Sequence, residues 1–139
     1  QIDGRFERLL SMLSGNYLSI KSKKGNNDVA YLPILRKSEL YYIKGEYLAS
    51  IGQVSEAVDL LREIRSSRGD ISVDDLNTVT TEMGYIEAML TDARKEFIGE
   101  GQSFYLFKRL NLPVFDGVQN IDFRNLYTLP VPKSEEVVF

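Results

Sequence analysis

The chain has 139 residues, a formal net charge of −3 and a sequence pI of about 5.1. This length fits one domain, and its interleaved acidic and basic residues do not form the basic surface that a nucleic-acid binder needs. The chain contains no cysteine and no histidine, which removes disulfides, the usual zinc ligands and the nucleophile pairs built on these residues. We therefore predict no metal, no cofactor and no nucleic-acid partner.

The N-terminal third gives mixed signals. Residues 5–13 carry Phe6, Leu9, Leu10 and Leu13 on one side and predict a short helix. Residues 17–22 alternate enough to predict a short strand, and the charged, asparagine-rich stretch after them predicts an exposed loop. Pro33 fits the first turn of a helix that continues to about Ser50.

Residues 41–69 predict two antiparallel helices joined by a very short turn. Gly45 leaves room for a crossing backbone, and Gly52 suits the end of the first helix because glycine reaches the left-handed conformation cheaply. Ser55 suits the N-cap of the second helix. With Ala57, the positions of Gly45 and Gly52 resemble one tetratricopeptide repeat.

The second helix of this hairpin has an apolar stripe, formed by Ala57, Val58, Leu61 and Ile64. A third, long helix is predicted over residues 81–110, with Asp70, Asp74 and Asp75 in the connection before it. Its stripe consists of Ile86, Met89, Leu90, Ala93, Phe97, Gly101 and Phe104. Gly99 and Gly101 weaken this helix and predict a kink or a split. Leu61 and Phe97 should be almost inaccessible to solvent.

The segment RKEFIGEGQSFYLFKRLN, residues 94–111, resembles the helix signature of the SusD/RagB nutrient-uptake outer-membrane proteins. Its matching positions are Arg94, Glu96, Phe97, Glu100, Gly101 and Arg109. IDGRF, LPILRKSELYYIKGEYLASIG and LYTLPVPKSEE resemble three further elements of that family, in the same order. Ser103 and Leu106 replace an arginine and an aspartate of many members, so an ion pair between these positions is absent.

This resemblance implies a mainly helical, SusD-like fold, with residues 1–139 forming a single domain from the C-terminal part of a larger protein. It implies a glycan-binding lipoprotein on the outer face of the outer membrane, acting with a SusC-type TonB-dependent transporter. The protein would be attached to the membrane only through an N-terminal lipid anchor, which is absent from this chain. The chain would provide framework more than binding site, and alone should bind oligosaccharides weakly and self-associate.

Other interpretations compete at the conspicuous residues. Glu96 and Glu100 are spaced four apart, but glycosidase carboxylates face each other across a cleft, so we favour charge pairing with Arg94, Lys108 or Arg109 over an enzyme. Arg36 is interpreted as a buried arginine that pairs with Asp3 or Glu39. A helical-repeat adaptor for a protein partner is the alternative function.

The aromatic residues have two possible roles. Tyr41, Tyr42 and Tyr47 have helical spacing and are assigned to the core more readily than to sugar stacking. Four aromatics near loops or strands are weak candidates for glycan contact: Tyr17, Tyr31, Phe115 and Tyr127. The chain has no tryptophan, which suggests that the main sugar-binding surface lies elsewhere.

Overall fold

A computed structural model describes residues 10–19, 35–69, 74–115 and 118–122 of the chain. These residues are mainly helical, as predicted, and fall into two compact units, residues 1–99 and residues 100–139. The described α-helices are α1 (Lys37–Ser50), α2 (Val54–Ser67), α3 (Glu82–Glu96) and α4 (Gln102–Leu110). The strands are β1 (Leu10–Leu13), β2 (Asn16–Ser19), β3 (Val114–Phe115) and β4 (Asn120–Ile121), and Asp74–Thr78 forms a 3-10 helix.

The strands form two antiparallel pairs. β1 pairs with β2 through a two-residue turn, in the register Leu10 to Ser19 and Leu13 to Asn16. Both turn residues, Ser14 and Gly15, have positive φ, of 50° and 80°, the conformation that matches the twist of a tight hairpin. The predicted helix over residues 5–13 is therefore wrong for residues 10–13, and its first half lies outside the described residues. In the second unit β3 pairs with β4.

The turn between α1 and α2 confirms the role predicted for Gly52. Its φ is 83°, and it closes α1 with two backbone hydrogen bonds, from Gly52 to the Ala49 carbonyl and from Gln53 to the Leu48 carbonyl. This pattern is the Schellman motif, which satisfies carbonyls left open at a helix end. The N-cap prediction for Ser55 is wrong, because α2 already begins at Val54 and Gln53 precedes it.

The beginning of α1 also differs from the prediction. The helix begins at Lys37, and Arg36 before it is extended, with φ −118° and ψ 147°. Pro33 lies outside the described residues. Leu35 and Arg36 therefore precede the helix, and Arg36 Nη1 lies 3.8 Å from the carboxylate of Glu96 at the end of α3.

Three helices, α1 to α3, enclose the core of the first unit. Ser38 contacts Glu96 and Tyr42 contacts Asp92, so α1 and α3 are antiparallel, while α2 runs parallel to α3. The α2 stripe is buried as predicted, and Leu61 has no exposed surface. Gly45 lies so close to Tyr85 of α3 that a Cβ would overlap the tyrosine hydroxyl. The glycine therefore makes room for this side chain, whereas the sequence predicted room for a crossing backbone.

The long helix predicted over residues 81–110 is split. Thr81 caps α3 by accepting a hydrogen bond from the Gly84 amide at 3.1 Å, and α3 ends at Glu96. Gly99 and Gly101 then have φ of 76° and 73°, a conformation that glycine adopts without the steric cost of a side chain. These two glycines thus account for the break before α4.

The break resets the helical phase, so the predicted stripe holds only as far as Phe97. Phe97 is 6% exposed, as expected, and the α3 positions of the stripe are buried. Beyond the break Phe104 is 44% exposed, and Phe107 is the buried residue of α4. The sequence prediction extended one helical period across Gly99 and Gly101, and it therefore assigned the wrong face of α4 to the core.

Candidate functional site

The densest group of functional side chains lies inside the first unit, where the first turns of α1 meet the last turns of α2 and α3. We call it the charged end, and it contains Ser38, Tyr42, Arg65, Arg68, Asp92 and Glu96. Each side chain comes from the inward face of its helix. The group is therefore a product of helix packing and not of one local motif.

Asp92 is the centre of this group. Its side chain has no exposed surface, and it accepts hydrogen bonds from the Tyr42 hydroxyl at 2.5 Å and from Arg68 Nη1 at 2.8 Å. Arg65 Nε lies 3.9 Å from its other oxygen. A buried carboxylate needs both charge pairing and hydrogen bonds to offset the loss of hydration, and Asp92 has partners on both neighbouring helices.

Arg65 extends the charged end to the connection between α2 and α3. Its Nη1 donates to both carboxylate oxygens of Asp75 at 2.9 Å each. Asp75 belongs to the 3-10 helix and is more than half exposed. Arg65 thus fastens the connection onto the bundle while its own side chain is almost fully buried.

Glu96 closes the group at the end of α3. Arg68 Nη2 lies 2.8 Å and Arg36 Nη1 lies 3.8 Å from its carboxylate oxygens, and the Ser38 hydroxyl donates to it at 3.3 Å. These partners differ from Arg94, Lys108 and Arg109, which the sequence suggested and whose pairing with Glu96 stays a prediction. Arg36 is half-buried beside Glu96, and Asp3, one of its predicted partners, lies outside the described residues.

The two buried tyrosines have raised pKa values for related reasons. Burial is the main cause of the raised pKa of Tyr42, and the negative charge of Asp92 adds to it. Burial also raises the pKa of Tyr85, with smaller contributions from Glu46 and Asp92. Both hydroxyls therefore stay protonated near neutral pH. The Tyr42 hydroxyl donates to Asp92, whereas the Tyr85 hydroxyl is buried without a hydrogen-bond partner among the described residues.

A small cleft lies beside the charged end, between the first turns of α1 and the last turns of α2. It encloses about 210 Å³ and is lined by Lys37, Ser38, Tyr41, Glu63, Ile64, Ser67 and Arg68. The Tyr41 hydroxyl donates to Glu63 at 2.6 Å, and Lys37 Nζ lies 3.4 Å from the same oxygen and 4.9 Å from the centre of the Tyr41 ring.

The polar groups of this cleft already satisfy one another. The hydrogen bond from Tyr41 is the main cause of a lowered pKa at Glu63. The pKa of Lys37 is raised, mainly by its interaction with Tyr41 and then by Glu63. Glu63 is thus ionised near neutral pH and unsuited to act as a general acid. Lys37 also covers one approach to the Tyr41 ring, which leaves less of that ring for stacking on a sugar.

The structure separates the three tyrosines that were assigned to the core. Tyr42 is buried, Tyr41 is partly exposed at the cleft, and Tyr47 is 63% exposed. The core assignment is therefore correct for Tyr42 and wrong for Tyr47. For the weak glycan candidates the structure gives only backbone positions, Tyr17 in β2 and Phe115 in β3. Tyr31 and Tyr127 lie outside the described residues.

The positions that carried the two sequence resemblances lie inside the helices or beside their ends. Gly45, Gly52 and Ala57 lie within the α1–α2 hairpin, and Ala57 is fully buried. Arg94 and Glu96 end α3, and Phe97 follows as its C-cap. The remaining positions are Glu100 and Gly101 just before α4, and Arg109 in its last turn.

Asp92, Arg65 and Arg68 were not singled out from the sequence, although a signal was present. Asp92 lies three residues after Met89 and seven after Tyr85, and Arg65 lies four after Leu61. These spacings place charged side chains on the buried faces of both helices. Opposite charges that interrupt two apolar stripes are typical of a buried ion pair.

The described helices include none with the length and apolar character that a membrane crossing needs. A search of curated proteins found no match, and a search of solved structures found none either. A sequence profile of the SusD family matches residues 11–129. This match spans both compact units and all the described helices, and the chain therefore belongs to the SusD family.

Proposed function

We propose that this chain is part of a glycan-binding protein that captures nutrients at the cell surface. The family match over residues 11–129 is the observation that carries this proposal. By the same resemblance, the protein is a lipoprotein of the outer membrane that acts with a SusC-type TonB-dependent transporter. The order of the family elements further suggests that residues 1–139 supply its C-terminal part.

Within such a protein we assign this chain to the framework. Tyr42, Tyr85 and Phe97 are buried in packing, and the polar groups of the charged end are bonded to one another. The cleft of about 210 Å³ is smaller than the ~300 to 1,000 Å³ of typical ligand pockets. The close approach at Gly45 and the turn at Gly52 support a tetratricopeptide-like role for the α1–α2 hairpin.

We propose that the protein does not hydrolyse its glycan. A glycosidase needs one carboxyl group that remains protonated near neutral pH and a second across the sugar bond. Glu96 instead lies beside two arginines, and Asp92 is bound by a tyrosine and an arginine. Asp92 and Glu96 are four residues apart on one side of α3, so they do not face each other across a cleft.

The test is calorimetric titration of a longer protein that contains this chain with a panel of neutral oligosaccharides, alongside an assay for new reducing ends. We expect saturable binding to at least one member of the panel and no new reducing ends. Glu96→Gln and Glu100→Gln should change thermal stability without changing the binding constant. Turnover that disappears with either substitution would contradict the assignment, as would a failure to bind any glycan.

A further inference from the structure

The outward face of α1 carries a row of large apolar side chains. Leu40, Ile43, Tyr47 and Ile51 are 56%, 64%, 63% and 51% exposed. Their spacing of three or four residues places them on one side of the helix, opposite the buried residues Ser38, Tyr42, Gly45 and Ala49. We call this row the α1 stripe. A contiguous apolar face of this kind marks an interaction surface.

The residues beside the α1 stripe have opposite charges on its two edges. Lys37 and Lys44 lie along one edge, and Glu39 and Glu46 lie along the other. In heptad notation, Leu40 and Tyr47 occupy position a and Ile43 occupies d, while the lysines occupy e and the glutamates occupy g. Ile51, which follows the last residue of α1, falls at the next e position. Apolar a and d positions with charged e and g positions are the pattern by which two helices pair in a coiled coil.

This charge arrangement distinguishes between the two ways of pairing α1 with itself. In a parallel pair, a g residue faces the e residue five positions later on the other helix, so Glu39 meets Lys44 of the second copy. In an antiparallel pair, like edges meet, and lysine would face lysine while glutamate faced glutamate. Like charges in contact oppose association, so the parallel arrangement is favoured.

We propose that the α1 stripe is a homodimer interface, in which α1 packs in parallel against α1 of a second copy of this chain. The two-fold axis runs along the helix pair and brings Leu40, Ile43 and Tyr47 against the same residues of the second copy. Two Glu39–Lys44 pairs, related by symmetry, flank this apolar contact. The same patch on both subunits is the arrangement expected of a two-fold dimer.

The absence of cysteine from the chain makes a direct test possible. Ile43→Cys would introduce the only thiol, and under mild oxidation we expect a covalent dimer. Asp59→Cys, at an exposed position on α2, is the control and should remain monomeric. A mixture of the Leu40→Cys and Tyr47→Cys variants should give disulfides only between identical variants. A mixed disulfide between them would indicate antiparallel pairing and overturn the proposal.

Sedimentation equilibrium of the unmodified chain gives a second, independent readout. Ile43→Lys should raise the dissociation constant by about tenfold or more, because it places a charge at the centre of the interface. Met83→Lys removes a similarly exposed apolar side chain from α3 and should leave it unchanged. Glu39→Lys and Lys44→Glu should each weaken association, and mixing these two variants should restore it. A chain that stays monomeric at high micromolar concentration would contradict the interface.

Discussion

The interior formed by α1, α2 and α3 has two ends with different chemistry. At the apolar end, Leu48, Ala57, Val58, Leu61 and Tyr85 are buried, and none of these five side chains carries a charge at neutral pH. At the charged end, two arginines of α2 meet two carboxylates of α3, and α1 adds a tyrosine and a serine. The same three helices are thus joined by shape at one end and by directional polar contacts at the other.

This difference predicts how strongly single substitutions at each end should lower the free energy of unfolding. Apolar contacts are many and individually weak, so a truncated side chain costs its own burial and the cavity that it leaves. A buried ion pair behaves differently, because removal of one partner leaves the other charge dehydrated and uncompensated. We therefore expect the charged end to be the more sensitive to single substitutions.

The largest effect is expected at Asp92. Asp92→Ala leaves Arg65 and Arg68 without their central partner and should lower the free energy of unfolding by about 3–5 kcal/mol. Asp59→Ala breaks an exposed pair with Arg62 on α2 and should cost no more than ~1 kcal/mol. Urea denaturation of both variants checks this contrast. Equal, small losses would show that the charged end contributes little to stability.

The apolar end is tested at Leu61, which has no exposed surface. Leu61→Ala should cost about 2–5 kcal/mol, depending on how far the helices collapse into the cavity. Leu60→Ala is the matched control, because Leu60 is the adjacent residue of the same helix and only partly buried. Similar urea midpoints for the two variants would mean that the assigned faces of α2 are wrong.

These two ends were not equally predictable from the sequence. The burial of Leu61 and Phe97 followed from apolar periodicity, and the end of α1 followed from Gly52. The contacts of the charged end did not follow from apolar periodicity, because in such a pattern Asp92 and Arg65 are only interruptions of an apolar stripe. Pairing of charges on separate helices depends on tertiary packing, which a single sequence does not specify.

β2 overlaps the strand predicted over residues 17–22, but β1 and its pairing with β2 were missed for a related reason. Leu10 and Leu13 are three residues apart, a spacing that places them on one face of a helix but on opposite faces of a strand, so apolar spacing favoured a helix. The turn residues Ser14 and Gly15 were the better signal, since both have positive φ. These two residues determine the backbone of the turn directly, whereas the helix prediction considered only the spacing of apolar residues.

An intermediate effect is expected where α1 crosses α3. Gly45→Ala places a methyl group against the Tyr85 hydroxyl and ring, and we expect a cost of about 1–3 kcal/mol from overpacking. Gly84→Ala is the control within a helix, because its new Cβ would meet only the side chains of Thr81 and Val79. Thermal denaturation compares them, and an unchanged melting temperature for Gly45→Ala would contradict the close crossing.

Removal of the hydroxyl should have opposite effects on stability at the two buried tyrosines, and the effect at Tyr85 should be the smallest. Tyr42→Phe removes a hydrogen bond to the Asp92 carboxylate and should cost about 1.5–3 kcal/mol. Tyr85→Phe removes a buried hydroxyl without a described partner, so it should be neutral or stabilising by up to ~1 kcal/mol. Two equal losses in urea denaturation would show that the Tyr85 hydroxyl is hydrogen-bonded.

The same tyrosines predict a loss of stability at alkaline pH. Both have a folded-state pKa above the ordinary value, so the folded chain keeps protons that the unfolded chain releases. The contribution of these two tyrosines to stability should therefore be constant below about pH 10, the pKa of an unfolded tyrosine, and should fall above it. In urea denaturation at several pH values, Tyr85→Phe should reduce that slope. An unchanged slope would contradict the raised pKa of Tyr85.

The central functional claim is that this chain supplies framework to a glycan-binding protein and not its sugar-binding surface. Calorimetric titration of the 139-residue chain with the same oligosaccharide panel as the longer protein tests it most directly. We predict no detectable heat of binding from the chain and saturable binding by the longer protein. Micromolar binding by the chain alone would contradict the framework assignment and would place Tyr17, Tyr31, Phe115 or Tyr127 in the sugar site.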